Sequence, residues 1–183
     1  MTEERRRQTV SELNGRNQVE AFEAAKAVLN DADPLLEAPL IMLLRTGRRP
    51  FNRAAAAHAM QILRTQKTIR ALERAVENKS ENPRVRGEAA EALAHSHRHR
   101  SHDVLLAGLA DSSKDVRFWC SFALGEVAER RAIPFLKRLA ARDKRIVRGF
   151  HSVAQEAIDA MEKIQTKDRR PRRKKRCTFC IEI

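Results

Sequence analysis

Apolar residues return every three to four positions along most of the chain, the spacing that collects them on one face of a helix. Val116, Cys120, Ala123, Leu124 and Val127 stand at i, i+4, i+7, i+8 and i+11, which predicts a helix with that face turned inward. Shorter runs, Ile69, Leu72 and Val76, then Val104, Leu105 and Leu109, then Ile133, Leu136 and Leu139, predict a second helix after each such segment. The starts are legible as well. Pro50 and Pro83 each sit three residues before an Arg, at a first-turn position where a missing N–H costs nothing. Asn82 and Ser113 are N-cap residues, and Pro134 opens a later helix. A further hairpin is predicted near 17–29 and 35–44. A helix around 146–164, with no partner after it, is predicted to close the stack.

The helices repeat. NPRVRGEAAEALA from Asn82 and SKDVRFWCSFALG from Ser113 share Val-Arg (Val85-Arg86, Val116-Arg117), followed by Ala-Leu (Ala92-Leu93, Ala123-Leu124). Arg53 and Arg148 take the same place in weaker copies, so Arg53, Arg86, Arg117 and Arg148 are spaced by 33, 31 and 31 residues. A near-constant period of this length is the mark of stacked units. The expectation is an all-α, right-handed α-solenoid of about four to five helical hairpins. It comprises an N-terminal extension over 1–16, a repeat domain over 17–165 and a basic, disordered tail over 166–183.

Composition supports helices and excludes a sandwich or barrel: among 183 residues there are seven Phe, one Trp, no Tyr, six Gly and six Pro, too few aromatic and turn residues for many short strands. Charge adds a partner class. Lys and Arg number 37 against 24 acids, a net +13, which favours an acidic protein or another polyanion. MTEERRRQTV lacks the apolar core of a signal peptide, and no run approaches the roughly 18 apolar residues of a membrane span. The expectation is a cytoplasmic protein, and three cysteines do not make a disulfide framework.

Leu109-x-Asp111, Ser113, Val116-Arg117 and Ala123-Leu124-Gly125 resemble the HEAT repeat, and more narrowly the short HEAT-like repeats named for phycobilisome (PBS) lyases. The resemblance covers 50–164 and, loosely, 17–45. It implies a solenoid whose second helices line the concave face, with the repeated Arg pairing to an acid near the preceding turn, such as Asp111, in a ladder between units. Arg86 and Arg117 are therefore structural. The same scaffold carries subunit-binding proteins, bilin lyase subunits and alkylpurine DNA glycosylases, so it does not fix function. A glycosylase cleft needs more aromatics than one Trp and an Asp that maps onto no position here. The repeat is far more widespread than the lyase reaction. No Ser-His-Asp, H-E-x-x-H or Gly-rich phosphate motif is present.

Candidate binding residues fall in three groups. Phe118, Trp119 and Phe122 occupy positions where the preceding unit has Gly87, Glu88 and Glu91, and Gly149, Phe150 and Val153 stand one unit later. Trp119 and Phe150 are expected to approach one another, either to hold a partner's side chain or a nucleobase or to be covered by the last helix. The second helices bear Lys67, Arg70 and Arg74, and Lys137, Arg138 and Arg142, with Glu73 and Glu77 interrupting the first stripe. The tail carries Lys167, Arg169, Arg170, Arg172, Arg173, Lys174, Lys175 and Arg176. It is read as a grip on nucleic acid or anionic membrane, or as an import signal.

Metal and lipid chemistry are weaker candidates. Cys177 and Cys180 form a C-x-x-C, but a structural zinc needs four ligands. Cys180-Ile181-Glu182-Ile183 has the outline of a prenylation box, against which Glu182 counts. His95, His97, His99 and His102 read as a solvated loop gaining charge below pH ~6.5 rather than a metal site, and Cys120 as an inert core thiol. The sequence thus predicts a monomeric, non-catalytic module without metal or cofactor. It holds an acidic protein or peptide on its concave face, the alternative being polyanion binding through the tail and basic concave residues.

Overall fold

A computed structural model describes residues 1–95 and 99–169, and among these it contains ten α-helices and no named strand. They are α1 (Glu3–Leu13), α2 (Gln18–Asp31), α3 (Glu37–Thr46), α4 (Pro50–Ala59), α5 (Gln66–Glu77), α6 (Pro83–Ala92), α7 (His99–Gly108), α8 (Lys114–Glu126), α9 (Ile133–Arg142) and α10 (Val153–Arg169). The predicted caps are in place. Pro50 and Pro83 open α4 and α6, Asn82 Oδ1 accepts from Arg84 N at 3.0 Å, and Ser113 Oγ accepts from Asp115 N at 3.2 Å.

Packing sets the repeat. Each odd helix lies against the even helix that follows it, from α1 on α2 to α9 on α10, and the even helices pack side by side from α2 to α10. The stack is an all-α solenoid of five hairpins, α1/α2 through α9/α10. The units inferred from sequence are therefore out of phase by one helix. The Val-Arg helices α6 and α8 are the second members of their hairpins, and the closing helix α10 has a partner, α9, before it. Residues 1–16, set apart in the sequence as an extension, contain α1, whose Leu13 is fully buried.

The even layer is built from small side chains. Ala54 to Ala57, Ala89, Ala90, Ala123, Ala157 and Ala160 are all buried. A Cβ on Gly125 of α8 would stand 2.8 Å from Ala160 Cα of α10, so these two backbones approach as closely as glycine permits. The even helices are therefore the more closely packed of the two layers. A single cleft of about 810 Å³ runs along them from Phe22 of α2, past His58 of α4 and Arg84 of α6, to Trp119 of α8 and Phe150. The resemblance puts second helices on the concave side, and with the phase corrected these are the Val-Arg helices and not α5, α7 and α9.

The repeated arginines join the hairpins. Arg53 donates to Glu81 (2.8 Å) and to the Gly47 carbonyl (2.7 Å). Arg86 donates to Asp111 and to the Val76 carbonyl (3.1 Å). Arg117 donates to Asp143 (2.7 Å) and to the Asp111 carbonyl. Each guanidinium thus ties a backbone carbonyl of its own hairpin to a carboxylate in the loop of the next one, so the acid follows the Arg instead of preceding it. Arg148 does not join this ladder. It is exposed in a turn before α10, because residues 143–152 form a loop closed by an isolated antiparallel bridge between Ile146 and Ser152. The adjacent Gly149 has φ +83°, a left-handed conformation that ends any helix there.

Candidate functional site

The aromatic residues of α8 sit beside its core stripe and face the concave side. Phe118 is the exception, 2 % exposed and packed with Val147 and Val153 under the 143–152 loop. That loop is strapped down by Val147 N donating to His151 O (3.2 Å) and by Lys114 Nζ donating to Ile146 O (2.8 Å). It delivers Phe150, which is 51 % exposed, to Trp119 with ring centroids 5.1 Å apart and planes at 80°. Phe122 meets Trp119 at 5.6 Å and 82°, with Lys163 Nζ over the Phe122 ring, 4.6 Å from its centroid. The edge-to-face geometry is the favoured one for aromatic pairs.

Trp119 fits because its neighbour is glycine. A Cβ at position 87 would stand 2.7 Å from the indole Cδ1, so Gly87 of α6 leaves the space into which the half-buried ring settles. Trp119 and Phe150 then form the wall between two concave clefts. One is the 810 Å³ cleft toward α2, and the other, of about 660 Å³, lies over α10 and is lined by Phe122, His151 and Glu156. The expected approach of Trp119 and Phe150 is present, and the 143–152 loop, with Val153 at the start of α10, covers Phe118 while Phe150 stays half exposed.

A titratable group shares this face. His58 Nδ1 lies 3.2 Å from Glu88 Oε2, and Glu91 lines both clefts. The Glu88 hydrogen bond raises the His58 pKa, while burial and then the Glu88 charge push Glu91 up to about 7. Both groups hold a proton more tightly folded than unfolded. For His58 the gain is present below its unfolded value and is lost as pH rises through its folded one. For Glu91 the cost of ionising in place grows from its unfolded value, 4.5, up to about 7. Stability from this cluster therefore falls as pH rises through neutrality. The expected result is that Glu91→Gln, which removes the ionisation, raises the melting temperature at pH 8 and leaves it nearly unchanged at pH 5, checked by thermal unfolding across that range. A wild-type and a variant curve of equal pH slope would contradict it.

The basic residues lie elsewhere. Arg70 and Arg74 are exposed on α5, and Lys137 and Arg138 are exposed on α9, all in the odd-helix layer on the other side from Trp119. Arg138 stacks on Phe135 with its guanidinium carbon 4.7 Å from the ring centroid. The repeat phase thus sets these residues apart from Trp119, on the first helices of their hairpins and not on the second ones. Glu73 and Glu77 do not neutralise the α5 stripe, because they turn toward α7: Glu73 accepts from Ser101 (2.7 Å) and both acids pair with Arg100.

Arg169 ends α10, which runs past the 166 boundary, while Arg170, Arg172, Arg173, Lys174, Lys175, Arg176 and the Cys177/Cys180 pair lie outside the described residues. His97 is also outside them. His99 opens α7, so this stretch is partly helical, and His102 contacts Glu129 at 2.8 Å. Burial pushes the Cys120 thiol up to about 12, in keeping with an unreactive core cysteine. No described helix is long and apolar enough to cross a membrane.

Fold and face together define an α-helical repeat protein with an aromatic-walled concave surface. Residues 77–150, which contain α6 to α9, match the family of HEAT repeats, and this supports reading the stack as a HEAT-repeat protein. No curated protein matches the chain.

Proposed function

We propose that the protein is a non-catalytic HEAT-repeat scaffold that takes a protein or peptide partner on its concave face, with Trp119 and Phe150 as the anchor. The observation that carries this reading is the exposed Phe150 edge packed on Trp119 between two open clefts. Aromatic side chains presented on a rigid scaffold dominate protein interfaces, and stacked repeats present them over an extended surface. The finer kinship with the short phycobilisome-lyase-type repeats belongs to the same reading, resting on Leu109-x-Asp111, Val116-Arg117 and Ala123-Leu124-Gly125. So does action as a monomer in the cytoplasm.

The test is affinity capture by the full chain, by Trp119→Ala/Phe150→Ala and by a chain ending at Thr166, each across a salt series. The expected result is a discrete polypeptide bound by the full and truncated chains at high salt. The double variant weakens it about thirtyfold, the effect of losing an interface anchor worth roughly 2 kcal/mol. Capture that disappears with salt or with the tail would overturn the reading in favour of polyanion binding by Lys167 to Arg176.

A further inference from the structure

We propose that the groove between α3 and α5, on the face opposite Trp119, docks an acidic amphipathic segment of a partner protein. The groove has a volume of about 610 Å³. Its floor is aliphatic, with Ile41 and Leu44 from α3 and Ala71 and Ala75 from α5. Its rim is cationic. Lys67, Arg70 and Arg74 stand at i, i+3 and i+7 along α5, and Arg45 faces them from the last turn of α3.

None of these four side chains makes an ion pair or hydrogen bond among the described residues. The neighbouring acids are already engaged: Glu81 by Arg53, Glu37 by Thr65 and Thr68, and Glu77 by Arg100. An aliphatic trough between rows of uncompensated charge fits a segment that offers carboxylates along its edges and apolar side chains beneath. Arginine pairs well with carboxylates through its planar fork. Nucleic acid fits less well, because a single strand finds no aromatic ring on which a base could stack and a duplex, held through its phosphates, leaves the aliphatic floor uncovered. The chain's own tail is ruled out by sign, since residues 166–183 carry eight bases and two acids. This surface is separate from the aromatic face and does not rest on it.

The experiment uses the full chain and three fluorescein-labelled probes: a synthetic peptide with Glu and Leu at helical spacing, the same peptide with Leu replaced by Gln, and duplex DNA. The protein variants are Arg70→Glu/Arg74→Glu and Trp119→Ala, with helix content checked by circular dichroism. The Glu/Leu peptide is expected to bind, to weaken about tenfold with the charge reversal and at least about threefold with Gln for Leu, and to be unaffected by Trp119→Ala. Equal binding of the Leu and Gln peptides, or tighter and equally sensitive binding of DNA, would show a general polyanion surface and overturn the proposal. So would absence of peptide binding, or binding indifferent to the charge reversal, which would place it on the tail. Loss of binding in Trp119→Ala alone would move the site to the concave face.

Discussion

Asp111→Ala is expected to lower the unfolding free energy by about 3–5 kcal/mol, the usual cost of stranding the partner of a buried ion pair. Asp111 is 5 % exposed in the loop between α7 and α8, where it accepts from both terminal nitrogens of Arg86, from Lys79 Nζ (2.6 Å) and from Ser113 N (2.9 Å). Removing the carboxylate leaves the guanidinium of Arg86, 3 % exposed, facing a cavity between two hairpins. Urea unfolding followed at 222 nm checks the figure. Replacing both partners by apolar residues, Asp111→Leu/Arg86→Met, should recover most of the loss, because the uncompensated charge and not the missing contact is the larger cost. A single-variant loss below about 1 kcal/mol would mean that the ladder does not join the hairpins. The same carboxylates govern acid stability. Burial alone would raise the Asp111 carboxyl, but hydrogen bonds from Arg86, Lys79 and the Ser113 amide outweigh it and hold it well below the usual carboxylate range. Asp143 is likewise lowered, by Arg145 and Arg117 against its burial. A depressed carboxyl contributes its stability above the unfolded value and loses it as pH falls through the folded one, so cooperative unfolding is expected only well into the acid range.

Gly125→Val should destabilise by about 3 kcal/mol, at the upper end of overpacking costs. A Cβ at this site would lie 2.8 Å from Ala160 Cα and 3.0 Å from Ala160 Cβ, and a backbone atom cannot swing aside. The helices α8 and α10 must separate, opening the cover over Phe118 and loosening the loop that carries Phe150. Thermal unfolding checks the stability loss, and the emission of Trp119, the chain's single Trp, reports the loosening. Gly125→Val combined with Ala160→Gly relieves the Cβ contact and should recover part of the loss. An unchanged melting temperature in Gly125→Val would show that α10 does not pack where its Ala157 and Ala160 face α8.

The helices and their starts were legible in the sequence because they depend on local signals: 3.6-residue periodicity, proline at the first turn and Asn or Ser caps. Trp119 does meet Phe150 as expected, but by another route than the 31-residue period: Phe150 arrives on the 143–152 loop and not on a helix in register with α8. The phase of the hairpins was not legible. Short loops join every helix to the next, so spacing alone does not say whether α5 packs back on α4 or forward on α6. That choice is made by the small side chains of the even layer and by the arginines reaching into the following loop. It also decides which helices are the second members, and for that reason Arg70, Arg74, Lys137 and Arg138 stand on first helices, in the layer opposite Trp119, although the spacing placed them on second ones. His58, Glu88 and Glu91 lie on two helices some thirty residues apart and share no local motif, so only packing brings them together. Gly87 was visible as a departure from the aromatic positions of the next unit, but its reason, the room it leaves for Trp119, requires the stacked geometry.

A partner anchored by Trp119 and Phe150 lies within crosslinking reach of position 150. The direct test is photo-crosslinking with benzoylphenylalanine at position 150, compared with the same group at Leu35, which is 64 % exposed and lines neither the concave clefts nor the groove between α3 and α5. Irradiation in the source lysate should join a discrete polypeptide to position 150 and not to position 35, and Trp119→Ala should abolish that product. Crosslinks of equal yield from the two positions, or a product at position 150 that survives loss of Trp119, would contradict the account.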